Sequence, residues 1–326
     1  MKILLVRVDG IGDALVCAPL VAALRDAGHR VGALLTTRNA EAFARNVFAH
    51  VHVVERIPWP AHGSTAATYA QALREARAAK YDVALVPSEE PEAYRFARAC
   101  GAATRVGFSN GLEKPLKSAW TRAQLTRPLT REASARRARG HEVETVFRLG
   151  EGLHDEPAPT RDLRRLRPLV VDGESWRDDA VVLQVARKVH GEPAGAAEFR
   201  AIAGRIAHRY RTVVFASPED ASLAHALAAP HRLTYRIFER AGTWRNALAC
   251  VRAVVTPDGG AAHLAGMAGV PCVDIFRPGP AVAYDVRRWR PWASPARTLI
   301  AGDPAATAAA VEESLGVLMA HAPVPA

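Results

Sequence analysis

Thr256-Pro257-Asp258-Gly259-Gly260-Ala261-Ala262-His263-Leu264-Ala265, closing on Gly269-Val270-Pro271, is the stretch that decides how the rest of the chain is read. Apolar runs flank it at 251–255 and 272–276, so the pattern predicts strand, tight turn, short helix, strand. An acid at the carboxyl end of a strand, glycines that admit a ligand close to the backbone, and a helix N-terminus together form an anion site suited to a phosphorylated ligand. The same residues also serve as an ordinary helix cap and turn, and the stretch alone leaves both readings open.

An equivalent arrangement opens the chain. Residues 1–8 have a strand pattern, followed by Asp9-Gly10-Ile11-Gly12-Asp13 and an apolar helix over 14–27 that Gly28 closes. Two strand-to-helix turns, each with an acid beside glycine, therefore stand at opposite ends of the sequence.

Between them, strand and helix patterns alternate. Strands are predicted at 2–8, 31–35, 51–54, 82–86 and 105–108, then at 180–185, 212–216, 233–238, 251–255, 272–276 and 298–300. Helices are predicted at 66–80, 196–210, 221–229 and 244–250. This alternation specifies parallel sheets covered by helices on both faces. Gly152, Pro157, Pro159, Pro168 and Gly173 break the pattern, which gives an N-terminal domain over 1–155, a linker over 156–178 and a C-terminal domain over 179–326. The 326 residues, 49% hydrophobic and 23% charged, suffice for two such cores.

Composition excludes several classes. No stretch approaches the roughly 20 apolar residues of a membrane span, and no cleavage pattern follows the N-terminus, so a soluble cytoplasmic protein is expected. Cys17, Cys100, Cys250 and Cys272 stand apart in apolar surroundings and read as core residues rather than a disulfide or zinc framework. The 12 histidines show no recognised metal spacing, so no metal or other cofactor is expected.

The net charge of +10 is unevenly distributed. Residues 111–140 hold eight basic side chains (Lys114, Lys117, Arg122, Arg127, Arg131, Arg136, Arg137, Arg139) against Glu113 and Glu132. With Pro115 and Pro128 and few apolar residues, the segment reads as exposed loop with short helical pieces, either plain solvated surface or a patch for a polyanion. Nucleic acid fits poorly, since Trp120 alone offers a stacking surface and no nucleic-acid-binding signature accompanies it.

Lys2-Ile-Leu-Leu-Val-Arg7-Val-Asp9-Gly-Ile-Gly12-Asp13, with Pro19 and Leu24, resembles the opening of glycosyltransferase family 9, the ADP-heptose:lipopolysaccharide heptosyltransferases. Val255-Thr-Pro-Asp258-Gly259-Gly260-Ala-Ala-His263-Leu-Ala, then Gly269-Val-Pro271 and Phe276, resembles the family's second signature. Arg105-Val-Gly107-Phe108, His141-Glu-Val-Glu144 and Ser217-Pro-Glu219 fall between them in the family's order.

The resemblance implies an α/β GT-B fold, with two facing doubly wound Rossmann-like domains, parallel sheets and an interdomain cleft; the last helix is placed against the N-terminal domain. It implies an inverting, metal-independent transfer of a heptose or related sugar from an ADP-sugar to a lipopolysaccharide core. Asp13 matches the general base. Asp258 matches the acid on the donor's sugar hydroxyls, Gly259 and Gly260 the backbone at its phosphates, Glu219 the ribose acid with Asp220 adjacent, and 241–243, including Gly242 and Thr243, the adenine site. His263 is read either as structural or as a donor contact.

Lys188, with Arg187 second, is the candidate cation for the diphosphate. Lys114, Lys117, Arg122, Arg136, Arg137 and Arg139 become candidates for binding the phosphorylated acceptor and the cytoplasmic face of the inner membrane. The chain departs from the family at Val189-His190-Gly191-Glu192-Pro193, at Gly242, at Asp9-Gly10 and at Arg277. A GT-B enzyme acting on another nucleotide sugar, such as an epimerase, and a non-catalytic nucleotide- or glycan-binding relative remain as alternatives. A nicotinamide enzyme fits less well, because Asp9-Gly-Ile-Gly12-Asp13 lacks the full glycine spacing of the dinucleotide fingerprint.

Overall fold

The computed structural model describes residues 1–55, 64–131, 140–173, 178–186 and 193–320. The chain divides into two compact units, Met1–Thr160 and Arg161–Ala326. In the first, strands β1 (Lys2–Val6), β2 (Arg30–Thr36), β3 (Val51–Val54), β4 (Val83–Val86), β5 (Thr104–Ser109) and β6 (Arg127–Thr130) form one sheet in the order β3-β2-β1-β4-β5-β6. Every neighbouring pair is parallel. Ile3, Leu4, Leu5 and Val6 are fully buried, as a central strand covered on both faces requires.

The apolar run predicted as one helix over 14–27 is two, Ile11–Leu15 and Ala18–Asp26. Pro19 explains the break. It has no N–H to donate and its ring would strike the carbonyl of Leu15, so it sits in the first turn of a new helix instead.

The basic segment also differs from expectation. It contains a ten-residue helix, Pro115–Gln124, and strand β6. Pro128 hid the strand from a sequence reading, since proline removes a ladder donor. Among the described residues β6 pairs only with β5, with Gly107 opposite Pro128, and an edge strand tolerates that loss on its open side.

The second unit repeats the plan. Strands β7 (Val181–Gln184), β8 (Thr212–Ala216), β9 (Thr234–Ile237), β10 (Ala253–Pro257), β11 (Cys272–Phe276) and β12 (Ala296–Ile300) lie parallel in the order β12-β11-β10-β7-β8-β9. The stretch read as linker carries a helix, Leu163–Val170, capped by the Asp162 side chain. Leu166, Leu169 and Val170 are buried, and Arg167 donates to the Ala268 carbonyl at 2.6 Å, which ties this helix to the second unit. The last helix, Pro304–Ala320, buries Val311, Leu315 and Leu318 in the second unit's core with Phe199, Ile202 and Ile206.

Each sheet thus has the doubly wound order in which a central strand is flanked by its successor on one side and by the start of the second half on the other. The chain reverses direction across the sheet between β1 and β4, and again between β7 and β10. Ligands of such sheets bind beyond the strands' carboxyl ends at these reversal points.

One packing contact fixes the helix that follows β10. A Cβ on Gly266 would stand 2.8 Å from the Trp292 nitrogen and 3.2 Å from the Pro291 Cα, both backbone atoms. Gly266→Ala is expected to cost about 1–3 kcal/mol by forcing that segment outward. Denaturant titration reads this directly, and an unchanged midpoint would show that 291–294 gives way freely.

Candidate functional site

Two centres stand at the two reversal points. In the first unit, β1 ends at Val6, and Arg7 turns inward with 3% of its surface exposed. A guanidinium cannot lose its proton to escape burial, so it must be compensated by carboxylates and carbonyls. Its Nη2 donates to Asp13 Oδ1 at 2.8 Å, its Nε lies 3.1 Å from Asp9 Oδ2, and Nη1 donates to the Pro87 carbonyl. Ser88 Oγ donates to Asp9 Oδ1 at 3.0 Å. Pro87 and Ser88 directly follow β4, so this network spans the β1–β4 reversal point.

Asp13 lies in the first turn of the Ile11–Leu15 helix, and its Oδ2 accepts from the Gly10 N–H at 3.2 Å. Its side chain keeps 35% of its surface exposed. The carboxylate is fixed at one edge and open at the other, as a base acting on an incoming hydroxyl needs. Asn39 steadies the turn from beneath, donating to the Arg7 and Asp9 carbonyls at 3.1 and 3.0 Å.

Burial raises the Asp9 pKa above the ordinary carboxylate value, against the pull of Arg7. Burial also opposes the Arg7 charge, but the fields of the acids around it, Asp9 foremost, outweigh burial and hold its pKa above the usual value. Sequence reasoning found Asp13 and missed Arg7, Asn39 and Ser88. The available signal was a charge ending an otherwise apolar strand, which in a doubly wound sheet lands at the ligand end.

In the second unit, β10 delivers Asp258, whose N–H donates to the Ile275 carbonyl at 3.0 Å. Gly259 then occupies the N-cap of the Gly260–Ala268 helix, where glycine has no side chain to cap the first turn. Asp258, Gly259 and Gly260 are partly exposed while Ala261–Ala268 are buried, so only the helix N-terminus reaches solvent. The first-turn N–H groups and the positive end of the helix dipole favour an anion at such an N-terminus. His263, one turn in, is 3% exposed and meets the Trp289 ring edge-on at 5.8 Å.

Neighbouring strand ends add further predicted residues. Glu219 follows β8 and is exposed, whereas Asp220 is buried and accepts from Ser217 Oγ at 3.1 Å. Gly242 and Thr243 lie in the first turn of the Ala241–Leu248 helix, which Trp244 ties to β7 through a 2.8 Å bond from Nε1 to Gln184 Oε1. Gln184 in turn donates to the Phe215 carbonyl of β8 at 3.3 Å. Asp258, Glu219, Gly242 and Thr243 therefore all belong to the carboxyl ends of this sheet. Lys188 and Arg187 lie outside the described residues.

The basic segment is thinner than its composition implies. Arg131 is buried and committed, with Nη2 on both Glu142 oxygens at 2.7 and 2.8 Å and Nη1 at 2.9 Å from Glu89. Burial raises the Glu142 pKa, with Arg131 opposing. Lys117 sits 3.5 Å from Glu89, and Arg127 donates to the Glu151 carbonyl at 2.8 Å. Lys114 and Arg122 are exposed; Arg136, Arg137 and Arg139 lie outside the described residues. Beside the lysines, Leu112 and Leu116 are 95% and 87% exposed.

Cys17, Cys100 and Cys272 are buried free thiols, and burial pushes the Cys17 pKa up to about 12, so none is a reactive centre. Among the described residues no helix is long and apolar enough to cross a membrane.

No protein-family model matches the chain, and no curated protein matches its sequence. Solved structures do match. The glycosyl transferase family 9 from Veillonella parvula DSM 2008 superposes with a TM-score of 0.75 at 14% identity, over 98% of this chain and 97% of that one. E. coli heptosyltransferase WaaC with ADP gives 0.74 at 17% identity, over 97% of this chain and 99% of that one. E. coli ADP-heptose lps heptosyltransferase II gives 0.67 at 16%, over 97% and 99%. The chain therefore has the α/β fold of these proteins, two Rossmann-like units, along almost its whole length.

Proposed function

We propose that this chain is an inverting, metal-independent glycosyltransferase of family 9 that moves a heptose or related sugar from an ADP-linked donor to a lipopolysaccharide core. The observation that carries the reading is Asp13, a half-open carboxylate held at a reversal point by a buried arginine. The fold shared with E. coli heptosyltransferase WaaC, solved with ADP, supports assigning that carboxylate to sugar transfer.

In this reaction an acceptor hydroxyl attacks the anomeric carbon of the donor. The new C–O bond forms as the bond from that carbon to the diphosphate breaks, and the electron pair leaves on the phosphate oxygen. As the acceptor oxygen bonds to carbon its proton becomes acidic and passes to Asp13. Arg7 and the Gly10 N–H keep the open edge of the carboxylate in one orientation, which limits the entropy lost on the way to the transition state.

The second unit holds the donor. Asp258 accepts from sugar hydroxyls, the N-terminus of the Gly260–Ala268 helix faces the diphosphate, Glu219 takes the ribose hydroxyls, and Gly242 and Thr243 border the base. Lys188 or Arg187 supplies the cation that offsets the leaving group's charge. Lys114, Lys117 and Arg122 meet the phosphates of the acceptor, with Arg136, Arg137 and Arg139 completing the patch. Leu112 and Leu116 support an amphiphilic partner, since two exposed leucines among cations suit a glycolipid at an anionic membrane surface better than a free sugar phosphate.

A thermal-shift screen of ADP, UDP, GDP and dTDP tests the donor. A ligand present at about 100 times its Kd stabilises the folded state by about 2.7 kcal/mol. ADP is expected to raise the melting midpoint most. Preference for UDP or dTDP would overturn the heptose assignment, and no shift with any nucleotide would overturn the donor site itself.

A further inference from the structure

A cluster outside both centres lies on the first sheet. His50 immediately precedes β3, His52 lies within it, and Glu75 comes from the Ser64–Ala79 helix that covers that face. Alternate residues of a strand share a face, so His-x-His is a two-ligand spacing on a strand, although it matches no helical zinc motif. The sequence reading that found no metal spacing among the histidines passed over this pair.

Glu75 Oε2 stands 3.3 Å from His52 Nδ1 and 3.6 Å from His50 Nε2. Ligands about 2.1 Å from a tetrahedral zinc ion are separated by about 3.4 Å, so both distances match neighbouring corners of such a site. The three ligand atoms lie within 4.8 Å of one another.

The inner ligand also has an outer partner. His52 Nε2 lies 3.0 Å from Tyr81 Oη. When Nδ1 faces a metal, Nε2 carries the ring proton and donates to that oxygen, which is how metal-bound imidazoles are oriented. Gly32 makes this possible, because a Cβ there would strike Tyr81 Oη.

We propose that His50, His52 and Glu75 form a zinc-binding site, with water in the fourth position, that fastens edge strand β3 to the helix above it. His50 and Glu75 are partly exposed and leave an entry path, while His52 anchors the site in the core. The site lies on the sheet face, with His52 opposite Leu34 of β2 and Leu34 opposite Val6 of β1, two strands across from the residues that lead into Asp13. The proposal is independent of the reaction assigned to Asp13.

The test is calorimetric titration of the full chain, stripped by chelator, with Zn2+, supported by Co2+ absorption as a report of coordination. One equivalent is expected to bind, to raise the melting midpoint, and to give the intense visible bands of tetrahedral cobalt. His50→Ala and Glu75→Gln, both at partly exposed positions, are expected to weaken that equivalent at least tenfold. Tyr81→Phe is expected to weaken it roughly 10-fold or more through the loss of ring orientation. Wild-type stoichiometry and affinity in His50→Ala, or no uptake by the unmodified protein, would overturn the site.

Discussion

Asp13→Asn is expected to lower kcat for sugar transfer by roughly two to four orders of magnitude, the usual contribution of a positioned general base. The substitution is close to isosteric. The amide oxygen can still accept from Arg7 Nη2, as the carboxylate does at 2.8 Å. The amide nitrogen then faces the Gly10 N–H, which donates to Oδ2 at 3.2 Å in the native protein, so a short helix loses its N-terminal bond. That loss costs about 1 kcal/mol and shows as a small fall in melting midpoint. Nucleotide affinity, which the proposed function assigns to the second unit, should not change. The separation between unchanged ADP binding by calorimetry and a large fall in kcat identifies Asp13 as the base. Near-normal turnover would remove it from the mechanism, and a parallel loss of ADP binding would instead point to a damaged fold.

Much of this was legible in the sequence because doubly wound sheets write their strands as continuous apolar runs. Residues 51–54, 212–216 and 272–276 have the same limits in the structure as in the pattern. Asp13 and Asp258 were legible for a related reason, since glycine beside an acid at the end of such a run is a signal local to a few residues. What local patterns did not carry was pairing over long separations. Arg7 finds Pro87, Ser88 supports Asp9, and Arg131 finds Glu142 and Glu89, and nothing in the residues near each arginine announces those partners. Net charge misled for the same reason. Arg131 counted toward a basic surface although it is buried and spent on carboxylates. Proline misled in a different way, hiding β6 and the Leu163–Val170 helix because its penalties depend on whether the missing N–H faces a partner, which only topology decides.

Arg7→Met should be the most destabilising single change at the first centre, by about 3–5 kcal/mol at neutral pH, because a buried charge pair that loses one member leaves the other without compensation. For a domain of this size that corresponds to a fall of roughly 6–20 °C in melting midpoint. Methionine fills much of the same volume, so the loss reports charge and hydrogen bonding rather than a cavity. The dependence on pH separates this cause from simple misfit. Burial already raises Asp9 above the ordinary carboxylate value, and Arg7 is the main force pulling it back. Without Arg7 the folded-state pKa of Asp9 rises further while the unfolded value stays put. Between those two values the folded state binds more protons than the unfolded one, so stability falls as pH rises through that interval. The deficit of Arg7→Met against wild type should therefore be smallest below about pH 4, grow as pH rises through the Asp9 transition, and level off once that carboxyl has ionised. Arg7→Lys, which keeps the charge but cannot reach Asp9, Asp13 and the Pro87 carbonyl together, should recover part of the stability and flatten the pH dependence. A deficit that is the same at every pH between 4 and 8 would show that Arg7 acts through packing alone, and the orientation of Asp13 would then have to come from the Gly10 N–H and the turn itself.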